Sequence, residues 1–167
     1  DELLWDIQEQ GDELLRQGGF EQYEISAYSQ VGQQCQHNLN YWRFGDYLGI
    51  GCGAHGKITL ANKNQIVRTV KVKHPKGYMD LTRSYMSDKK VVPSEDLPFE
   101  FFMNRFRLLE PCPKSDYSDF TGLAMDDGTK KNLQIALNRG LLVESADEWR
   151  VTQLGRRYLN TLLEMMV

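Results

Sequence analysis

A polar, aromatic-rich segment over residues 29–46 contains the first side chains whose types suggest chemistry. His37 lies there among polar neighbours, and a neutral imidazole in such a setting can bind a metal ion, including haem iron, or move a proton. Tyr41, Trp42 and Phe44 would offer flat apolar surface to a large planar ligand. A loop that folds back over a sheet, with His37 bonded to the backbone, explains the same residues, and composition alone leaves both interpretations open.

A second candidate segment, residues 47–56, is a short apolar run that ends in closely spaced glycines. Glycines at the end of a strand expose backbone amides and let a ligand approach the main chain, as adenosine and phosphate ligands require. The spacing is neither a dinucleotide-binding fingerprint nor a P-loop, because no Gly-Lys-Ser or Gly-Lys-Thr follows. A tight strand end packed against neighbouring backbone is the alternative.

The charge balance excludes some classes of protein. The 167 residues include 20 basic and 23 acidic side chains, for a formal net charge of -3. A generic nucleic-acid binder, or a protein held on an anionic membrane, would usually carry a basic excess. The content of 41% hydrophobic and 26% charged residues is typical of a globular protein, and no apolar run approaches the roughly 20 residues that a membrane-spanning helix needs.

The three cysteines, Cys35, Cys52 and Cys112, are widely separated, which predicts reduced thiols in a cytoplasmic protein. No pair of them has the spacing of a zinc or iron–sulfur site, so we predict no metal site within this chain. No Ser/His/Asp or Cys/His arrangement and no carboxylate pair stands out either, so the residues predict no catalytic group.

The first half predicts the elements that must position these segments. Apolar residues at helical spacing predict a helix over residues 3–15, and an alternating run predicts a strand over residues 20–28. Together they form one αβ unit of a parallel sheet or barrel. Strands over residues 58–60 and 66–72 and a helix over residues 75–86 follow, and the charged, patternless residues 87–93 predict a linker.

The second half predicts helices, a hairpin and a closing helix, which is the outline of a winged-helix-like module. The predicted helices span residues 94–109, 119–125 and 127–139, the hairpin spans residues 141–151, and Thr152 caps the last helix. Residues 94–167 carry nine basic and twelve acidic side chains, so a packing or partner role is favoured over DNA binding. The chain is thus an α+β protein, divided into residues 1–86, the linker 87–93 and residues 94–167.

Several motifs resemble one known family. Gln36-His37-Asn38-Leu39-Asn40-Tyr41-Trp42 contains the pattern His-Asn-x-x-Tyr, and Tyr23-Glu24-Ile25-Ser26-Ala27-Tyr28 and the glycine-rich residues 47–56 flank it. In the second half, Phe101-Phe102-Met103-Asn104-Arg105-Phe106-Arg107-Leu108 and Leu154-Gly155-Arg156-Arg157-Tyr158-Leu159-Asn160 also match. With these motifs the chain resembles the C-terminal half of the oxygen-independent coproporphyrinogen III oxidase family, and more closely its HemW branch of haem chaperones.

The resemblance implies a fold and a set of site residues. The family fold is a partial, TIM-like radical SAM barrel followed by a small helical, winged-helix-like domain, so the chain would supply the last αβ units of the barrel and that domain. The histidine of the motif is implicated in haem binding, which carries over to His37 with Asn38 and Tyr41. The glycine-rich segment would contact S-adenosylmethionine through Gly51, Gly53, Ala54 and His55.

The resemblance also implies what this chain lacks. The family holds a [4Fe–4S] cluster on a Cys-x-x-x-Cys-x-x-Cys motif near its N-terminus, and nothing in this sequence matches that motif. Since the chain also starts at Asp1, we expect an excised C-terminal piece, inactive by itself in radical chemistry. The S-adenosylmethionine and the cluster would belong to the full-length parent.

These features predict a C-terminal fragment of a radical SAM protein of porphyrin metabolism, most closely a chaperone that binds haem and transfers it to acceptor proteins. The enzyme alternative is the oxidative decarboxylation of coproporphyrinogen III, and a winged-helix nucleic-acid-binding module is the alternative of another class. Haem or a porphyrinogen and haem-accepting proteins are the expected partners, with no nucleic acid and no membrane span. An unpaired sheet edge leaves association into a homodimer open.

Overall fold

A computed structural model describes residues 2–167 as a mixed α+β chain, which confirms the predicted class. The first half contains α1 (Glu2–Gln17), β1 (Glu21–Glu24), β2 (Ala27–Ser29), α2 (Gln36–Trp42), β3 (His55–Leu60), β4 (Gln65–Lys71), α3 (Pro75–Tyr78) and β5 (Met86–Val91). The second half contains α4 (Leu97–Arg105), β6 (Cys112–Pro113), α5 (Lys114–Thr121), α6 (Asp127–Asn138), β7 (Leu142–Glu144), β8 (Glu148–Val151), α7 (Gln153–Arg157) and α8 (Leu159–Glu164).

The strand predicted over residues 20–28 is wrong as a single strand. Its residues form a two-stranded antiparallel hairpin of β1 and β2, in which the buried Glu24 carboxylate accepts a hydrogen bond from the Ser26 backbone amide at 3.2 Å. This turn folds β2 back on β1, so the segment cannot continue as one extended strand. All strand pairs within residues 2–167 are antiparallel, and the parallel pairing predicted for the first αβ unit is therefore not found there.

The central sheet has the order β3-β4-β5, and the sequence did not predict its third strand, β5. The predicted strands at residues 58–60 and 66–72 are confirmed as the β3–β4 hairpin, although β3 begins earlier, at His55. Residues 86–91, most of which were assigned to a patternless linker, instead pair with β4 as β5. The residues of β5 are mostly exposed and many are charged, as is common in edge strands. They therefore lack the alternation of apolar and polar residues by which strands are recognised in a sequence.

The C-terminal part has the predicted winged-helix-like outline, with helices around a three-stranded sheet of order β6-β8-β7. The β7–β8 hairpin, α6 and the Thr152 cap are confirmed, and the Thr152 hydroxyl accepts a hydrogen bond from the Gly155 amide at 2.9 Å. The helix predicted over residues 75–86 in the first half is wrong in extent, since it ends at Tyr78, and three helices predicted in the C-terminal part are wrong in extent as well. The helix over residues 94–109 ends at Arg105, the one at 119–125 lies at 114–121, and the last one is broken at Tyr158.

One core joins the two halves of the chain. Phe101 and Phe102 of α4 are fully buried at its centre, with Phe44 from the first half and Tyr117 of α5 packed against them. Burial of large aromatic side chains contributes most to such a core. The predicted first helix is confirmed as α1, but none of its residues is buried. Among the described residues, no helix is both long and apolar enough to cross a membrane.

Candidate functional site

The His-Asn-x-x-Tyr residues lie on a short helix, α2, and the prediction of a polar loop is wrong at this point. Only Leu39 of α2 is buried, with 7% of its surface exposed, so the helix has no apolar stripe that a periodicity search could find. His37 and Tyr41 are four residues apart and thus share one face of the helix. The His37 side chain is exposed, and the Asn38 and Tyr41 side chains next to it are half-buried.

An ion pair fixes the C-terminal end of α2 to the second half of the chain. Arg43 donates two hydrogen bonds to the Glu110 carboxylate, from Nε at 2.8 Å and from Nη2 at 2.6 Å. The buried Arg105 donates a third to the same carboxylate, from Nη1 at 2.9 Å. The hydrogen bond from Arg43 holds the pKa of Glu110 below its ordinary value. Such two-point arginine–carboxylate contacts fix orientation as well as distance.

A buried lysine fixes the residues that follow α2. Lys57 of β3 has 1% of its surface exposed, and its Nζ donates to the Phe44 carbonyl at 2.9 Å and to Asp46 Oδ1 at 3.0 Å. The same Nζ lies 4.3 Å from the centre of the Phe44 ring. Burial lowers the pKa of Lys57. Phe44 itself is fully buried at φ +65°, a left-handed backbone conformation that is strained for an aromatic residue.

An aromatic cluster connects α2 to the glycine-rich segment. The Tyr41 ring lies 4.7 Å from the Trp42 ring and 5.2 Å from the Tyr47 ring, measured between centroids. Arg68 Nη1 donates to the Tyr47 hydroxyl at 3.1 Å, and desolvation raises the pKa of Tyr47. On the other side, the Arg107 guanidinium lies 5.1 Å from the centre of the Trp42 ring, an arrangement that favours a cation–π contact. The two segments singled out in the sequence are therefore neighbours through Tyr41 and Tyr47.

The glycine-rich segment is a tight turn packed against neighbouring backbone. Gly51 and Gly53 have positive φ of 107° and 66°, which only glycine adopts without strain. The amide of Gly51 donates to the Tyr78 hydroxyl at 3.0 Å, that of Gly53 to the Val72 carbonyl at 3.0 Å, and that of Ala54 to the Gly51 carbonyl at 3.2 Å. These amides are thus engaged within the chain, whereas the His55 side chain is exposed.

The described residues fit one of the implied groups better than the others. The His37 imidazole is exposed, with Tyr41 one turn further along the helix, so it could serve as a single ligand to haem iron. No group of three or more His, Cys, Asp or Glu side chains within residues 2–167 is placed to hold a metal ion. Cys35 and Cys52 are exposed, and burial raises the pKa of the Cys112 thiol to about 12. These residues therefore do not fit an iron–sulfur cluster.

Sequence inspection missed the residues that hold α2 in place. Lys57 lies in a strand where a charged residue usually faces water, and Arg43 and Glu110 are 67 positions apart. Nothing local in the sequence pairs them. Gly45, directly after the aromatic run, is a local signal that could have predicted a chain reversal there.

The Glu110 contacts give an expected pH dependence. Glu110→Gln should destabilise the chain by about 1 kcal/mol at pH 7, because a partly exposed ion pair is weakened by solvent. The native pKa of Glu110 is lowered, so its contribution is full above the ordinary glutamate pKa and is lost as the pH falls through the native pKa. Urea unfolding at pH 7 and pH 3 should show the gap between wild type and variant closing in acid. The exposed Glu164→Gln is the matched control, and a gap that stays constant with pH would contradict the assignment.

Comparison with known proteins finds relatives that match the whole of this chain. Residues 92–158 match the model of the HemN C-terminal domain. The chain is 53% identical over 167 residues to the Haemophilus influenzae protein named heme chaperone HemW, and 52% identical to the Escherichia coli protein of that name. Both alignments cover 100% of this chain and 43% of the relative, so the chain spans less than half the length of these proteins.

A solved structure supports the fold. The structure of coproporphyrinogen III oxidase (HemN) from Escherichia coli, described as a radical SAM enzyme, superposes with a TM-score of 0.67 at 14% identity. The match covers 97% of this chain and 40% of that one. The chain is therefore similar over its whole length to part of the heme chaperones named HemW, its residues 92–158 match the HemN C-terminal domain, and its fold is that of the corresponding part of HemN.

Proposed function

We propose that this chain is the haem-binding part of a haem chaperone, with His37 as an axial ligand to the iron and Asn38 and Tyr41 beside the macrocycle. The observation that carries the proposal is the exposed imidazole of His37 on a helix whose far end is fixed by an ion pair and a buried lysine. The relatives that are 52–53% identical over the whole chain are named heme chaperones, which supports the same cargo.

The residues of this chain would act by binding and positioning. The His37 imidazole would offer a nitrogen lone pair to the iron, and the aromatic side chains next to it would offer apolar contact to the flat ring. One exposed ligand on a fixed helix favours exchange of the cargo, because the iron is bound through a side chain that solvent and an acceptor can both reach. Haem-accepting proteins are the partners that this arrangement requires.

The cofactor roles are proposed for the longer polypeptide. Gly51, Gly53, Ala54 and His55 remain our candidates for contact with S-adenosylmethionine, for which His55 offers an exposed imidazole and the glycines offer close backbone approach. The backbone N–H groups of Gly51, Gly53 and Ala54 already donate hydrogen bonds within the chain. The segment would therefore bind the cofactor through backbone carbonyl groups, or these N–H groups would have to exchange their partners. The cluster ligands have to come from outside residues 2–167, because the described residues do not fit a cluster.

The fold similarity to HemN favours one other candidate, the oxidative decarboxylation of coproporphyrinogen III. The two functions differ in their product. The complete polypeptide, with its cluster reconstituted, should be loaded with haem and mixed with a haem-free acceptor, and separately incubated with coproporphyrinogen III and S-adenosylmethionine. We expect haem transfer to the acceptor and no decarboxylated product. Turnover of the porphyrinogen without haem transfer would overturn the chaperone assignment.

A further inference from the structure

A groove of about 1270 Å³ separates α1 from the C-terminal helices, and neither proposed site uses it. Four aromatic side chains line it, Trp5 from α1, Phe20 between α1 and β1, Tyr28 from β2 and Tyr158 between α7 and α8. Ligand pockets are typically about 300–1,000 Å³ and combine apolar walls with a few polar groups, so this groove is large enough for a large ligand with a flat apolar body.

The groove also contains arginines that have no acidic partner. Arg107 and Arg156 both line it, and each has a buried Nε without a hydrogen-bond partner. The guanidinium of Arg157 lies over the Trp5 ring at 5.1 Å. None of the three forms an ion pair within residues 2–167. Burial, together with repulsion from Arg150, lowers the pKa of Arg156. A buried donor without a partner is rare in native proteins, and a bound group is one arrangement that would satisfy it.

The acidic residues of the groove do not neutralise these arginines. Glu9 accepts a hydrogen bond from Trp5 Nε1 at 2.8 Å, and Asp12 accepts from Gln8 Nε2 at 2.8 Å and from the Tyr28 hydroxyl. The other two, Glu2 and Glu21, are exposed to solvent. Among the polar groups of the groove, the partly buried guanidinium groups of Arg107 and Arg156 thus remain without a partner, and guanidinium groups bind carboxylates with paired, charge-assisted hydrogen bonds.

We infer that this groove is a second ligand site, distinct from His37, which binds the carboxylates of a flat tetrapyrrole through Arg107 and Arg156 and its ring against the aromatic walls. The choice of a tetrapyrrole among flat polycarboxylates rests on the proposed function. Arg107 lies between the groove and the ring of Trp42, the last residue of α2. It thus connects the groove to the helix that carries His37.

Metal-free coproporphyrin III is the probe, because it carries carboxylates but has no iron for His37 to ligate. In the complete polypeptide, its binding should be followed by the shift of its absorption band and by quenching of tryptophan fluorescence. We expect Arg107→Gln and Arg156→Gln each to weaken binding about tenfold, as loss of a charge-assisted hydrogen bond would. The exposed Arg139→Gln, outside the groove, should leave the affinity unchanged, and a porphyrin with cationic substituents should not bind.

The outcomes separate this site from the His37 site. His37→Ala should leave the binding of the metal-free porphyrin unchanged, so failure of the haem proposal would not remove the groove. Thermal melts of every variant identify any that merely unfold. A loss of affinity in Arg107→Gln or Arg156→Gln, with Arg139→Gln normal, supports the site. Equal affinity in all the variants, or equal binding of the cationic porphyrin, would overturn it.

Discussion

His37→Ala in the complete polypeptide is expected to weaken haem binding by more than about 100-fold, since loss of a residue that merely supports a metal ligand already costs about 10–100-fold. The physical reason is that the iron loses the nitrogen donor, while the apolar contacts of Tyr41 and Trp42 remain. The measurement is a haem titration that follows the Soret band of wild type and variant.

The chain provides its own controls for that experiment. Its three histidines are His37, His55 and His74, and all three side chains are exposed. His55→Ala and His74→Ala therefore remove an equally accessible imidazole from other positions, and we expect both to bind haem as the wild type does. Haem binding that falls equally in all three variants would indicate a non-specific surface effect and contradict the role of His37.

Lys57→Met is expected to destabilise the chain by about 2–3 kcal/mol. The substitution leaves the Phe44 carbonyl without its donor, which costs about 1–3 kcal/mol. It also removes the ammonium from the Phe44 ring, which costs about 0.5–2 kcal/mol. Relief of the cost of burying a charge, which the lowered pKa of Lys57 reflects, offsets part of the sum. Urea unfolding followed by circular dichroism at pH 7 measures the change.

The consequence of Lys57→Met for α2 separates this residue from an ordinary core position. Because Lys57 fixes the left-handed turn at Phe44 that ends α2, the variant should also show faster hydrogen exchange of the α2 amides and weaker haem binding. The exposed Lys90→Met is the matched control, with neither effect expected. An unchanged unfolding free energy in Lys57→Met would show that the buried hydrogen bonds do not hold the segment.

The elements that were predicted correctly each have a local pattern in the sequence. Helix α1 has an apolar spacing and ends before two glycines, and the β7–β8 hairpin has β-branched and aromatic residues on either side of a polar turn. The Thr152 cap is a local hydrogen bond between neighbouring residues, so it could be predicted without knowledge of the fold.

The elements that were missed depend on distant contacts. Helix α2 buries Leu39 alone, so its pattern resembles a polar loop until α4 is placed beside it. Strand β5 is recognisable only through its pairing with β4, since its charged residues give no alternation. Tertiary context overrides local pattern in both cases.

The candidate site divides in the same way. The family resemblance of seven consecutive residues pointed to His37, Asn38 and Tyr41 without any structure, and their role in haem binding stays a prediction. The supports of the site, Lys57 under Phe44 and Glu110 beyond Arg43, join segments that are far apart in sequence. A single sequence gives no signal for such pairs.

The most direct test of His37 ligation is a cavity variant, His37→Gly, in the complete polypeptide, with its ferric haem complex examined by electron paramagnetic resonance before and after imidazole is added. We expect the variant to lack the signature of an axial imidazole nitrogen and free imidazole to restore both that signature and the Soret band of the wild type. A wild-type spectrum that persists in His37→Gly without imidazole would show that another residue ligates the iron and would contradict the proposed haem site.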